Sequence, residues 1–523
     1  MKQYHFKNVY YKTLLVITSI AFLVVLLLLT IQFTQESSKH ASQQTLNHFA
    51  AQKIQKTMQQ QHIPGMSVLM IQHQKLILNK GFGFQNQAKQ QYATEHTQYE
   101  IASDTKAFTG LAILQLSDKK KIDLNAPVSD YLPWLHLKYH DKQAKVTVEQ
   151  LIAQTSGIDD DMSSDKEDEL PKSKDNLKSH VKSINNEELN DQPGQQFNYA
   201  NMNYDILGLL VEQVSHQSYE NYIWQHILTP LHMNQTYFKT ENITKNRKKH
   251  LAQGYVEEKN GHVEADNPDY FKGDTPAAYM ISSTTDMIPW VNMQLNPKGI
   301  DKSLITQSHQ KRSETPKDAN ASDYATGWFL NPDQHQVLHP GTLPNYSSFV
   351  LLNSKEKNAV VILANLNTDA TPNLARTLNH QLEFFDQYHK LNYDVQQYAL
   401  IIALLIWIAI IICAAGLINI GYVIYHFKQQ RISKRFNSKL INIMIFTLTL
   451  GLIILISAIF YKAPSWIIQS INWEIALMSF SPPIIMLILL IFIAILLFII
   501  RLSLSLLWKD TKSKKQILNK RYV

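Results

Sequence analysis

Cysteine is almost absent: the only one in 523 residues is Cys413, inside an apolar run near the C-terminus. A disulfide framework is therefore excluded, and any folded domain must stand on its core. The roughly 350 residues between the apolar ends suffice for one. The histidines are scattered without metal-ligand spacing, so no metal is expected, and no cofactor is implied. The acidic run 159–161 with 165–169 lacks the spacing and the glycine of a calcium loop and reads as a solvated loop. The long stretch 159–195 around it reads as a mobile flap. Internal repeats are missing too. So is a nucleic-acid footprint, despite a net charge of +7. Lys2, Lys7 and Lys12 lie in the first 33 residues, and the chain after 395 carries thirteen Lys or Arg against Glu474 and Asp510. The span between is net acidic, so the basic charge flanks apolar segments and no nucleic-acid partner is expected.

What the ends hold is apolar length. Segments 14–33, 399–427, 440–461 and 483–508 are each long enough to cross a bilayer. Their flanks agree on one topology. The first lysines lie inside, and so do Lys428, Arg431, Lys434, Arg435 and Lys439 of one loop. The loop with only Lys462 and Glu474 lies outside, and the tail from Lys509 to Arg521 lies inside again. The expected organisation is a cytoplasmic N-terminus and anchor (1–33), a polar stalk (34–48) and an extracellular domain (49–390). Three transmembrane helices (399–508) and a basic cytoplasmic tail (509–523) follow. The protein is then multi-pass in the cell membrane, with the bilayer as its first partner. Segment 14–33 is either an uncleaved anchor or a signal peptide; its length and the lack of a small-x-small site favour the anchor.

Within the middle domain a helix is expected over 45–61 and a strand pair over 66–71 and 76–82. Strands return at 347–353 and 359–365, and a last helix covers 371–388. From 103 to about 340 the chain reads as mostly helical with long loops. Strands at both ends predict an α/β fold of the α+β type, one sheet built from both termini with an inserted helical domain.

Ser103-Asp-Thr-Lys106 opens an apolar helix. Positions i and i+3 share a helix face, so the lysine reaches the serine oxygen, and the helix N-terminus favours an oxyanion there. The same spacing at Ser117/Lys120, Ser163/Lys166, Ser179/Lys182, Ser308/Lys311 and Ser354/Lys357 reads as surface coincidence. Downstream stand Tyr199-Ala-Asn201, at the start of a helix, and His339-Pro-Gly341, before an extended segment. Tyr199 beside an ammonium is expected to have a depressed pKa and to serve as a base. Asn201 would orient Lys106 and bind a substrate amide, and His339 would hydrogen-bond Tyr199 or a substrate carboxylate. Gly341 would let the strand approach, and the N–H groups of Ser103 and Thr342 would form the oxyanion hole. Singly, each of these motifs is as readily an ordinary packed residue; the ordered set is not.

That set resembles the serine β-lactamase/penicillin-binding-protein superfamily, in its class C β-lactamase-related branch (serine peptidase family S12). Its Ser-x-x-Lys, Tyr-x-Asn and Lys/His-x-Gly motifs match Ser103/Lys106, Tyr199/Asn201 and His339/Gly341. Further landmarks lie at 81–84, 151–158, 230–233, 326–329 and 340–349, so the resemblance covers about 45–390. It implies a β-lactamase/transpeptidase-like fold, an antiparallel sheet flanked by helices, and an acyl-enzyme on Ser103. Where β-lactamases have Lys-Thr-Gly this chain has His-Pro-Gly, which implies poor β-lactam turnover and a carboxylate grip that is weak or depends on pH through His339. The family's Gly-Gly is replaced by 276-Pro-Ala-Ala-Tyr-Met-280, a bulkier wall. A family peptidase domain followed by three helices is also similar to peptidases that trim N-acyl-D-amino-acid leaders. The expected function is a membrane-anchored serine hydrolase acting on D-alanyl esters or D-amino-acid groups of a cell-wall polymer or peptide. A non-catalytic wall module and a maturation peptidase for an acylated precursor stand as alternatives, and the sequence names no protein partner.

Overall fold

The computed structural model describes residues 30–31, 43–160, 176–239, 250–258, 261–268, 270–297, 302–316, 322–397, 399–428, 432–434, 439–467 and 482–510. Most of segment 14–33, the stalk as far as 42, the acidic run 165–169 with much of the flap, and the 511–523 tail lie outside them. The chain divides into a unit at 50–383 and a second made of 1–49 with 384–523.

The first unit is built on a nine-stranded antiparallel sheet. Its strands are β1 (Gly65–Gln72), β2 (Lys75–Asn86), β3 (Gln91–Tyr92), β4 (Ser313–Glu314), β5 (Asp323–Tyr324), β6 (Phe329–Asn331), β7 (Gln336–Leu343), β8 (Tyr346–Asn353) and β9 (Asn358–Ala364). In space they run β4-β5-β6-β7-β8-β9-β1-β2-β3, so the two ends of the domain meet where β9 pairs with β1. His73 and Gln74, both at positive φ, make the tight turn that matches the twist of the β1–β2 hairpin. Strands β1, β8 and β9 are buried along their whole length. Their near-continuous apolar runs reflect helices packed on the sheet.

Helix α1 (Gln43–Gln60) precedes β1, and the chain leaves the sheet after β3 for the inserted helical part. There α2 (Thr105–Asp118) is buried on every face from Thr105 to Leu114, Lys106 included, which places it at the centre. It packs against α3 (Asn201–Ser215), while α4 (Thr284–Leu295) packs on β1, β8 and β9. Helix α5 (Ala370–Gln397) turns Leu374, Leu378 and Leu382 inward, and Leu382 accepts a hydrogen bond from Gln72 at 2.7 Å. The α+β fold is as the sequence predicts. The stretch expected to be helices and loops also supplies β4 to β6 and two strands, Met280–Ser283 and Tyr237–Phe238, that form a small sheet with Gln98–Glu100 just before it. Strands of two to four residues carry too little alternation to register as strands.

The second unit contains α6 (Ala399–Lys428), α7 (Lys439–Ile467) and α8 (Pro482–Leu507). Each holds a stretch long and apolar enough to cross a membrane, of 26, 23 and 21 residues. Gly416 of α6 packs on Leu497 of α8, and Phe460 of α7 stacks on Phe492 of α8 at 4.1 Å. The chain leaving α6 (Ile432–Lys434) pairs antiparallel with the chain leaving α8 (Trp508–Asp510), so both exits lie at one end of the unit. Ile411, Ile418, Phe446 and Leu448 face outward, more than half exposed.

Candidate active site

Ser103 stands in a 3-10 turn, Ala102–Asp104, that runs directly into α2; the α-helix proper begins at Thr105 rather than at the serine. The turn is pinned from below. Ile101 donates its N–H to Met280 O at 2.9 Å, and Thr105 Oγ1 donates to Ala102 O at 2.6 Å. Ala102 is held at φ +48°, a left-handed conformation that costs a non-glycine residue about 1 kcal/mol or more.

Lys106 is fully buried. Its Nζ lies 3.0 Å from Ser103 Oγ, 2.7 Å from Asn201 Oδ1 and 3.1 Å from the Ala277 carbonyl. The last two only accept, so two N–H bonds are committed to them. The third valence of the nitrogen faces the serine hydroxyl, which can donate or accept. Once Lys106 gives up a proton, its lone pair is aimed at Ser103.

Tyr199, partly buried, hydrogen-bonds Ser103 through its hydroxyl. Burial holds its pKa well above that of a free phenol; the bond to Ser103 opposes this, and Asp274, Asp104 and Asp160 add to it. The expected depression by Lys106 does not occur. The ammonium lies over the ring, 4.9 Å from its centroid, and its charge does not outweigh the burial. Tyr199 is therefore a neutral phenol and not a tyrosinate base.

His339 departs from expectation as well. It is buried in β7, and its Nδ1 donates to the Pro340 carbonyl at 2.7 Å. Its Nε2 has no hydrogen-bond partner among the described residues, so of the two bonds expected of it the one to Tyr199 is not made. The ring lies among Phe329, Tyr199 and Tyr324, with centroids at 5.2, 6.1 and 6.5 Å. Burial and the Lys106 charge push its pKa down to about 3, against the bond to Pro340. The imidazole is thus neutral throughout the working range, and no pH-dependent cation stands here.

Gly341 brings β7 against the nucleophile's turn. A Cβ there would lie 2.0 Å from Ser348 Oγ and 2.5 Å from Ile101 O. Strand β6 pairs only with residues 336–338 of β7, which leaves that edge free of β6 from 339 onward, and Thr342 is exposed on this part of the strand. Of the other Ser-x-x-Lys pairs, Ser308 proves buried rather than superficial, bonding Ile305 O, while Lys311 turns to Glu314 and Asp323. Ser163 and Lys166 lie outside the described residues.

Residues 50–383 match the Beta-lactamase family model. The chain belongs to the beta-lactamase family. It is 41% identical over 431 residues to Protein flp of Staphylococcus aureus strain MRSA252, covering 81% of this chain and 83% of that one. Two solved structures are similar. The octameric penicillin-binding protein homologue of Pyrococcus abyssi shares 26% identity at a TM-score of 0.56, over 63% of this chain and 75% of that one. FmtA from Staphylococcus aureus shares 25% identity at 0.53, over 64% and 89%.

In this beta-lactamase-family site three contributors escaped sequence reasoning. The Ala277 carbonyl and Asp274, which accepts from Asn201 Nδ2 at 3.2 Å, sit in and beside the short helix Thr275–Ala278. No motif marks a carbonyl. The third is Asp104, buried beside the nucleophile with Ser348 Oγ at 2.7 Å from one carboxyl oxygen and, among the described residues, no hydrogen-bond partner for the other. Burial raises its pKa well above the usual 3.8, opposed by Ser348 and Lys106. A raised folded-state value means that the folded form gains relative stability when the carboxyl is protonated and loses it as pH rises above about 4. Asp104→Asn, isosteric and neutral, is expected to raise stability at pH 7 by on the order of 1–3 kcal/mol. The gain should vanish near pH 4. Denaturant unfolding at both pH values checks this, and an equal effect at both would refute the burial argument.

Proposed function

We propose that this protein is a membrane-anchored serine hydrolase whose catalytic unit works outside the cell. The observation that carries the reading is the 3.0 Å contact of the buried Lys106 Nζ with Ser103 Oγ. In the reaction, Lys106 as free amine takes the Ser103 proton while Oγ bonds to the acyl carbon. The backbone N–H groups of Ser103 and Thr342 hold the oxyanion. As the tetrahedral species collapses, the Tyr199 hydroxyl protonates the leaving oxygen or nitrogen and is recharged from Lys106. Water then releases the acyl group by the reverse route. Asn201 keeps Lys106 aimed and faces the acyl amide or amine.

For the substrate we favour D-alanyl esters or other D-amino-acid groups of cell-wall material. A neutral His339 offers no cationic grip for the carboxylate of a β-lactam, which supports weak β-lactam chemistry. Anchoring in the bilayer is supported by the three apolar spans and by the pairing of 432–434 with 508–510, which brings the two basic-flanked exits together. A maturation peptidase that reads an acylated precursor through these helices is the second reading.

The test is fluorophosphonate labelling of the full-length protein in detergent, read by intact mass. One adduct per chain is expected, lost in Ser103→Ala and slowed about 10²-fold or more in Tyr199→Phe. Absence of any adduct on folded wild-type protein would favour a non-catalytic module. Equal rates in Tyr199→Phe and wild type would remove the phenol from the proton path.

A further inference from the structure

Behind the nucleophile lies a second group of titratable side chains that the chemistry above does not use. His180 and Asp205 are completely buried and stand 3.3 Å apart, Nε2 to Oδ2. Asp205 lies against the carboxyl of Asp274, also buried, close enough for the two to interact and to share a proton. Asp274 in turn accepts from Asn201 Nδ2 at 3.2 Å, and the other end of that amide accepts from Lys106 at 2.7 Å. A continuous polar line thus runs His180–Asp205–Asp274–Asn201–Lys106–Ser103.

Behind Lys106 and Ser103 the line is assembled from three separate elements. Asp205 follows Asn201 by four residues on α3 and so shares its face. Asp274 ends the turn Lys272–Asp274, three residues before Ala277, whose carbonyl is the other fixed acceptor of Lys106. His180 comes from the helix Leu177–Ser183. Backbone at 273 is shaped to admit it: a Cβ on Gly273 would lie 2.5 Å from His180 Cβ and 2.8 Å from its Cγ. Phe271 meets the imidazole edge-on at 4.8 Å. Burying two carboxyls and an imidazole is expensive unless they satisfy one another, and a polar cluster of that kind fixes the orientation of every member. Two touching carboxyls share a proton more readily than they both ionise, and burial with Asp205 raises the pKa of Asp274 accordingly.

We propose that His180, Asp205 and Asp274 are positioning residues that set the amide orientation of Asn201 and the place of the Ala277 carbonyl, and through them aim Lys106 at Ser103. None of the three touches substrate. Asn201 has to present its oxygen to Lys106 because its nitrogen is claimed by Asp274. With the carboxyl pair dispersed, the amide is free to turn, and Lys106 loses the direction of its lone pair.

The inference rests on Ser103 being an activated nucleophile, so the test has one arm that does not depend on reactivity. His180→Ala, Asp205→Ala and Asp205→Asn would be made in the full-length chain. In the first arm, acylation by fluorophosphonate is measured over a concentration series and counted per titrated site. The alanine variants should lose about tenfold or more in the limiting rate at unchanged reagent affinity. Asp205→Asn, which keeps the bonds but not the charge, should recover most of it. In the second arm, crystal structures of wild type and Asp205→Ala are compared. Asn201 Oδ1 should leave Lys106 in the variant. A wild-type rate per site in both alanine variants would overturn the proposal, whatever their thermal stability, and so would an unmoved Asn201–Lys106 contact. Failure of wild type to label counts against the nucleophile itself, and the structural arm then decides the relay alone.

Discussion

Lys106→Ala should slow acylation of Ser103 by about 10³-fold or more while leaving the protein folded. Two effects add. The substitution removes the nitrogen that contacts the nucleophile at 3.0 Å and is otherwise bound to Asn201 at 2.7 Å and Ala277 at 3.1 Å. It also leaves those two acceptors without their donor in the interior of the protein. Lys106→Met separates the contributions, because it keeps most of the side-chain volume and removes the base. Both variants should show the rate loss, and the methionine form should be the more stable. The check is the second-order rate with fluorophosphonate, beside hydrolysis of a simple aryl ester. Retention of rate within tenfold in either folded variant would move the base to another group. Tyr199 is a poor candidate, since burial keeps its phenol protonated.

Gly341→Ala is the second large effect expected, and it arises from shape alone. The added methyl would meet Ser348 Oγ at 2.0 Å, which a rotamer change can relieve, and the Ile101 carbonyl at 2.5 Å, which it cannot. That carbonyl belongs to the backbone just before the nucleophile. Strand β7 and the Ser103 turn must then separate by a fraction of an ångström or more, and the two proposed oxyanion donors sit on opposite sides of the gap. Misplacement on this scale costs about 10²-fold in rate, and overpacking costs about 1–3 kcal/mol of stability. Thermal unfolding and acylation rate measured on one preparation would show both losses. A fully active Gly341→Ala would mean that the strand does not carry half of the oxyanion hole.

Much of this was legible in the sequence because the informative signals are local. The β1–β2 hairpin, the apolar runs of β8 and β9, and the spacing of Ser103 and Lys106 each follow from a few adjacent residues. Charge states were not legible. Tyr199 was misjudged as a depressed phenol, and of the two readings of His339 the pH-dependent one falls while the weak grip stands, for a common reason: in the fold burial dominates both. The short strands β4 to β6 were missed for lack of pattern. Asp205 left a trace, an acid directly before the apolar run 206–211 of α3, that could have announced a buried partner. His180 left none, since the residues that receive it come from elements far apart in the chain.

The left-handed backbone at Ala102 bears on timing. Its conformational cost is met once, when the chain folds, and not again in each round of turnover. The amide that follows it is already oriented when a substrate arrives. Successive cycles therefore begin from the same starting geometry, and the nucleophile's turn should contribute no lag, no burst and no hysteresis to the kinetics.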